Sequence, residues 1–238
     1  MYKSQFHPSY NKIVFFTGAG MSAESGVPTY RGKEGIWNEY KWEEYACESA
    51  FRSNPGLVLD FHELRRIEAL KSKPHNGHFI INEIEHVIKN TKIITQNIDG
   101  MHQRANSTNV LELHGSLWKM RCENEGTIYE DLDGGKYSSR YCDCGNILRP
   151  DIIWFQDMLK EKIIQRAIGL ISSCDLFVSI GTSAVVYPAA GFPRLAKDSG
   201  AYCIEINPEK TELSQIYDEV IREKASNGLG LLKKQIID

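Results

Sequence analysis

Lys12-Ile13-Val14-Phe15-Phe16-Thr17-Gly18-Ala19-Gly20-Met21-Ser22-Ala23 decides the architecture of this chain. Ile13 to Phe16 is an apolar run that stops at a glycine, which predicts a strand buried on both faces, as in a parallel sheet. Gly18-Ala19-Gly20-Met21-Ser22-Ala23 fits G-x-G-x-x-G/A directly after that strand, and Met21 onward can open a helix. Glycines at those places let backbone approach a pyrophosphate, and a helix N-terminus favours its charge. Alone the pattern is weak, because a glycine-rich turn is often only a turn; the strand before it strengthens it. A hydride-transfer dehydrogenase would also hold its ribose with an acidic residue ending a second strand about 20 residues on. That residue is missing: Glu39, Glu43 and Glu44 fall in an aromatic stretch instead.

Working outward, Lys92–Thr95, Asp175–Ile180 and Ala201–Ile206 read as further buried strands, and Val110–His114 as an extended segment. Leu57, Phe61, Leu64, Ile67 and Leu70 recur at helical spacing over residues 56–71. Helices are also predicted over 77–89 and Lys160–Ser173. A last helix is expected to begin near Pro208, with Glu209 and Glu212 in its first turn. Residues 26–50, with Gly26, Pro28, Gly32 and Gly35, read as a long loop with some helix, and loops of that length inside a domain are usually functional. Strands alternating with helices imply an α/β fold with a doubly wound parallel sheet, whose ligands sit at the carboxyl ends of the strands.

Composition is that of a globular protein: 238 residues, 42% hydrophobic, 25% charged, net charge −3. No basic footprint points to direct nucleic-acid binding. No apolar run approaches the roughly 18 residues of a membrane span, and Met1 to Pro8 lacks the apolar core of a signal peptide. A cytoplasmic or similarly reducing location is expected. The six cysteines are Cys47, Cys122, Cys142, Cys144, Cys174 and Cys203. Three cluster in the polar, glycine-rich stretch 119–149, which suggests an inserted metal module rather than a disulfide framework.

The chemistry should lie at the strand ends. Thr95-Gln96-Asn97-Ile98-Asp99-Gly100 offers side chains for an amide and a ribose, although Asn, Asp and Gly also dominate ordinary turns. Leu113-His114-Gly115-Ser116 places a histidine, a base near neutral pH, at another end; a structural histidine bonded to backbone is the bland alternative. Gly181-Thr182-Ser183 and Glu205-Ile206-Asn207-Pro208 add small and polar groups.

Taken in order, Gly18-Ala19-Gly20-Met21-Ser22-Ala23-Glu24-Ser25-Gly26-Val27-Pro28-Thr29-Tyr30-Arg31-Gly32, then Thr95–Asp99, His114-Gly115, Gly181–Ser183 and Ile206-Asn207 resemble the sirtuin family over residues 12–225, nearly the whole chain. The resemblance implies one domain, 1–238, with two lobes. A large Rossmann-type lobe would cover about 8–50, 90–118 and 150–238, and a small module resembling the sirtuin zinc module about 51–89 and 119–149. It implies NAD as co-substrate and acylated lysine in proteins or peptides as partner, meeting in the cleft between the lobes. Gly18, Ala19, Gly20 and Ala23 would line the pyrophosphate, and Tyr30 and Arg31 would cover the nicotinamide ribose. Gln96 and Asn97 would contact that ribose, and Ile98 and Asp99 the nicotinamide amide. Gly181, Thr182, Ser183, Asn207 and Ala225 would hold the adenosine half. His114, as base, and Asn97 would be catalytic. Products would be free lysine, nicotinamide and O-acyl-ADP-ribose. Ile153, Trp154 and Phe155, facing Val185, would take the substrate peptide as an added strand; core packing of Ile152, Ile153 and Trp154 is the plain alternative.

Two features bear on specificity and metal. Relatives that remove succinyl or malonyl groups carry a Tyr and an Arg three residues apart on a helix; here His62 and Arg65 hold those positions, on one helix face. Arg65 could clamp an acyl carboxylate, and a half-charged His62 would make that clamp pH-dependent. A solvated surface Arg65 is the alternative. Family members usually bind zinc through two C-x-x-C pairs. Here Glu125 stands where the partner of Cys122 should be, and Cys142-Asp143-Cys144 is a C-x-C. No firmly bound zinc is expected, or zinc held by Cys122, Cys142, Cys144 and a carboxylate. Tyr30 replaces the usual Phe, and Gln156-Asp157 replaces the usual Gly-Glu, a change that bears on peptide register. The rival functions are an NAD glycohydrolase or ADP-ribosyltransferase on the same fold, and an NAD-sensing protein with little catalysis.

Overall fold

A computed structural model of the chain describes residues 10–30, 35–132, 134–183 and 186–237. Its strands are β1 (Lys12–Thr17), β2 (Asn90–Thr95), β3 (Val110–Glu112), β4 (Gly115–Arg121), β5 (Ile128–Glu130), β6 (Arg149–Ile152), β7 (Leu176–Ile180), β8 (Tyr202–Ile206) and β9 (Glu219–Ile221). Its helices are α1 (Ala19–Ala23), α2 (Trp42–Tyr45), α3 (Glu48–Ser53), α4 (Pro55–Lys71), α5 (Asn76–Val87), α6 (Met101–Arg104), α7 (Glu161–Ile171), α8 (Phe192–Asp198) and α9 (Ala225–Ile236). No described helix is long and apolar enough to cross a membrane.

Six strands form one parallel sheet in the order β3-β2-β1-β7-β8-β9. After β1 the chain builds outward on one side, then returns to build the other side from β7, so the order reverses between β1 and β7. Such a switch point leaves a crevice at the carboxyl ends of the strands. The register fixes where it opens: Thr17 pairs with Thr95 and Ile180, Thr95 with Glu112, and Ile180 with Ile206. The residues that follow each of these therefore emerge along one edge.

Alternation along β1 builds two cores. Ile13 and Phe15 pack with Ile80, Ile81 and Ile84 of α5 and with Leu229 and Leu232 of α9. Val14 and Phe16 pack on the other face with Ala167 and Ile171 of α7 and with Phe192 and Ala196 of α8. The fold is thus a doubly wound α/β sheet of Rossmann order. A second, antiparallel sheet, β5-β4-β6, packs against α4 through Val58, Leu59, Leu117 and Met120.

Three sequence expectations need correction. The periodic residues Leu57, Leu64 and Leu70 of α4 are exposed, whereas His62, Glu63, Arg65 and Arg66 are buried. The side of α4 turned inward is mixed: Val58, Leu59, Phe61 and Ala69 are buried beside those polar residues, because it meets both the cleft and the small module. No helix begins near Pro208. Residues 208–213 form bends and turns, β9 follows, and the last helix starts at Ala225. Finally, the lobe division placed residues 76–87 with the small module, yet α5 lies in the core of the large sheet.

Candidate active site

At the switch point the loops after β1 and β7 touch. Gly20 N–H donates to the Gly181 carbonyl at 2.8 Å. A Cβ on Gly20 would stand 2.7 Å from Gly181 Cα, and Gly181 itself has φ +57°. Side chains at either position would force the loops apart, so these glycines are required by packing before any ligand is considered. Above them opens a cavity of about 1110 Å³. Its wall takes Gly18, Ala19, Gly20 and Ala23 from the first loop, Gln96, Asn97 and Ile98 from beyond β2, and His114 from beyond β3. It takes Gly181, Thr182 and Ser183 from beyond β7, Asn207 from beyond β8, and Ala225 at the start of α9. Tyr30, His62, Arg65, Ile153, Trp154 and Phe155 complete it from the small-module side. Asp99 opens on an adjoining recess with Ala19, Tyr30 and Arg65. Arg31 and Val185 lie outside the described residues.

Hydrogen bonds set the orientation of these groups. His114 Nδ1 lies 2.9 Å from the Gln96 carbonyl, so Nδ1 carries the hydrogen and Nε2 is left as the acceptor. Burial pushes the His114 pKa below its ordinary 6.5, with the Gln96 bond opposing in part. The ring is therefore a neutral base at neutral pH. Gln96 Nε2 donates to Thr182 Oγ1 at 2.9 Å, tying the two halves of the sheet. Asn97 Nδ2 donates to the Gly18 carbonyl at 2.9 Å and to Ser22 Oγ at 3.2 Å, so its amide fastens to the glycine loop. Asn207 Nδ2 donates to the Thr182 carbonyl at 3.1 Å. Burial raises the pKa of Asp99, although its carboxylate accepts from Met101 N–H at 2.9 Å.

On the facing helix, His62 and Arg65 differ. His62 Nδ1 donates to the Val58 carbonyl at 2.8 Å and Nε2 accepts from the Trp154 indole at 3.2 Å. Both nitrogens are engaged, and burial pulls the His62 pKa down to about 4. The half-charged His62 of the sequence reading is thus replaced by a neutral ring. Arg65 is 8% exposed and its guanidinium lies 5.7 Å from the centre of the Tyr30 ring. It is a cleft residue and not a solvated one.

Sequence reasoning missed several lining residues. Trp37 stacks between Tyr30 and Phe61 on the cavity wall; its only signal was the aromatic richness of residues 26–50. Glu24, directly after the glycine motif, accepts from Ser226 N–H at 2.8 Å and from Ser226 Oγ at 2.7 Å, which holds its pKa below the usual value against burial. It fastens α9 to the first loop.

Away from the cavity, Cys122, Glu125, Cys142 and Cys144 present ligand atoms all within 4.8 Å of one another. Cys122 Sγ and Cys144 Sγ lie 3.6 Å apart, and Cys142 Sγ and Glu125 Oε2 3.1 Å. A tetrahedron with zinc–sulfur bonds of about 2.3 Å has edges of about 3.8 Å, somewhat less for an oxygen corner. The donor set fits zinc, with Glu125 as the carboxylate corner. None of the six cysteines forms a disulfide.

A parallel sheet of Rossmann order, a cavity at its switch point and a small module with a cysteine cluster define a nucleotide-binding enzyme architecture. The model of the Sir2 family matches residues 18–188, and the chain belongs to that family. An NAD-dependent protein deacylase of Aquifex aeolicus is 46% identical over 91% of this chain and 92% of its own. A Sir2 homologue solved with NAD superposes with TM-score 0.87 at 40% identity, covering 94% of this chain and 89% of its own. A mutant Sir2 homologue in complex with ADP-ribose gives TM-score 0.89 at 39% identity, covering 95% and 92%.

Proposed function

We propose that the chain is an NAD-dependent deacylase of acyl-lysine in proteins or peptides, giving free lysine, nicotinamide and O-acyl-ADP-ribose. One observation carries this reading: His114, neutral and with Nε2 as its open acceptor, shares a single cavity with the glycine loops of the switch point. Relatives solved with NAD and ADP-ribose support the occupant.

NAD, when bound, supplies a ribose carbon that releases nicotinamide and receives the acyl oxygen. The chain's residues prepare that exchange. Gly18 and Gly20 allow backbone close to the pyrophosphate, and Gly181 belongs to the adenosine half. Thr182, Ser183, Asn207 and Ala225 take the adenosine half. Gln96 and Asn97 meet the nicotinamide ribose, and Ile98 and Asp99 the amide. A neutral acyl oxygen is a weak nucleophile, so Ile153, Trp154 and Phe155 must hold the acyl-lysine in line. His114 Nε2 would accept a proton from a ribose hydroxyl as that hydroxyl attacks the acyl carbon; the lysine amine then leaves and one water adds at the same carbon, which completes acyl transfer. Apolar walls such as Trp37 and Phe61 exclude water that would otherwise hydrolyse the activated sugar.

Arg65 sets the acyl preference: its guanidinium stands on the cavity wall beside Tyr30, and acidic acyl groups such as succinyl are removed along with acetyl. His62, held neutral in two hydrogen bonds, adds shape and no charge. Cys122, Glu125, Cys142 and Cys144 would hold a structural zinc that takes no part in the chemistry.

Mass spectrometry of acetylated and succinylated lysine peptides with NAD tests the reading. Loss of the acyl group together with O-acyl-ADP-ribose, absent in His114→Ala, is the expected result. Nicotinamide release with both peptides unchanged would overturn it in favour of NAD hydrolysis.

A further inference from the structure

The turn that ends the peptide-facing segment contains a strained residue. Gln156 has φ +75°, a left-handed conformation that a non-glycine side chain disfavours. What holds it there is visible. Asp157 Oδ2 accepts from Trp154 N–H at 3.1 Å, and Asp157 N–H donates back to the Trp154 carbonyl at 3.1 Å, closing the turn on both sides. The same Oδ2 accepts from Arg149 Nη2 at 2.7 Å. Arg149 is 2% exposed and has its guanidinium 3.7 Å from the centre of the Trp154 ring. It is anchored in turn by Glu48 on α3 and by Glu123. The Trp154 indole N–H reaches His62 on the cavity wall. One buried guanidinium and one carboxylate thus fix the turn, and the turn fixes Trp154 and Phe155.

We propose that Arg149 and Asp157 are positioning residues for substrate: their pair holds Gln156 in its left-handed state and so sets the strand edge on which the acyl-lysine peptide docks. The proposal rests on the reading of Ile153–Phe155 as the peptide-binding segment. Neither residue touches the reacting atoms. Losing the clamp lets Gln156 relax, which rotates Trp154 and Phe155 away from the cavity. Glycine at position 156 bears no such strain, so it should keep the turn without the clamp. That rescue separates positioning from general destabilisation.

The test uses the full chain, titrated with an acetyl-lysine peptide by fluorescence and with ADP-ribose by calorimetry. Asp157→Ala is chosen because Glu48 and Glu123 still partner the buried Arg149. Asp157→Ala should weaken the peptide by about tenfold, the value of one strained left-handed residue, and leave ADP-ribose within about twofold. Adding Gln156→Gly should recover most of the lost peptide affinity. Amide exchange over residues 153–157 should quicken in Asp157→Ala and slow again in the double variant. A loss of peptide and ADP-ribose affinity together, or no recovery with glycine, would overturn the proposal. A wild-type protein that binds no acyl-peptide, with the exchange pattern as described, would overturn the functional reading while leaving the clamp in place.

Discussion

At the scale of single residues, the roles proposed for His114 and Arg65 are tested by different measurements. Burial lowers the His114 pKa, so its base form is present at neutral pH and is lost as pH falls through a midpoint below 6.5. The pH profile of kcat/KM for an acyl-peptide should therefore show an acid limb below 6.5; a limb above 7 would mean that another group is the base. His114→Ala should lose turnover by about 10²-fold or more, the usual weight of a positioned base, with ADP-ribose affinity retained. For Arg65 the comparison is between substrates. Arg65→Met should reduce succinyl removal by about tenfold or more relative to acetyl removal, the value of a charge-assisted pair in a buried site. Equal loss on both substrates would show that Arg65 serves packing against Tyr30 instead. Both residues were candidates from the sequence, His114 at a strand end and Arg65 through its match to the position of the Arg in relatives that remove succinyl or malonyl groups. Their states were not legible there, because a tautomer and a buried charge depend on neighbours as distant as Gln96 and Tyr30.

At the scale of elements, the sequence was readable where a segment serves the core and misleading where it serves the cleft. β1, β2, β7 and β8 are apolar because both faces are covered, and their runs stood out. α4 was placed correctly, but its periodicity does not mark its buried side: Leu57, Leu64 and Leu70 are exposed, while Phe61 is buried together with His62, Arg65 and Arg66. Local rules fail at sites that carry function or unusual burial. α9 was missed because Gly228 and Gly230 argue against a helix; Gly228 is there because Ile206 and Ile221 pack against its Cα. Conversely, Glu209 follows an Asn207 side chain that accepts its N–H at 3.2 Å, a turn that imitates a helix start. α5 and α6 bring two buried histidines together. His78 and His102 are buried with ring centres 5.1 Å apart, and both His78 nitrogens lack a hydrogen-bond partner among the described residues. Burial pulls His78 down to about 2 and His102 to about 4. Each binds a proton more readily when unfolded, so stability is full above 6.5 and falls as pH drops from 6.5 towards 4. A shift of that size is worth roughly 3 kcal/mol per group at pH 4. Urea midpoints should fall steeply between pH 7 and pH 5, and His78→Leu should be neutral or stabilising at pH 7 while reducing that fall. Unchanged acid sensitivity in His78→Leu would place the effect elsewhere.

At the scale of the whole molecule, the question is how far the small module's state reaches the cleft. The module does not hang on its cysteines alone. Arg66, fully buried, donates to the Leu117, Asp131 and Gly134 carbonyls and pairs with the Asp131 carboxylate at 3.0 Å. Removing one partner of such a buried pair is strongly destabilising, so α4 and the small sheet are fastened independently of any metal. The four candidate ligands line no part of the cavity. The covalent neighbour Glu123 does reach towards it, through Arg149 at 3.2 Å, but Glu123 is half exposed and Arg149 keeps Glu48 and Asp157 without it. With those two carboxylates retained, the buried guanidinium is not left unpaired when Glu123 shifts, so the effect on the cleft is small. Stripping a zinc-loaded protein with chelator should thus lower its melting temperature, since the metal binds only the folded module. It should leave ADP-ribose affinity within about twofold, because the glycine loops and Asn97 are fixed by the large sheet, and weaken an acyl-peptide by less than about tenfold. Native mass spectrometry counts the metal, and Glu125→Gln should reduce its retention without moving ADP-ribose affinity. Loss of ADP-ribose binding on chelation would show instead that the cysteine cluster and the switch-point cavity form one cooperative unit.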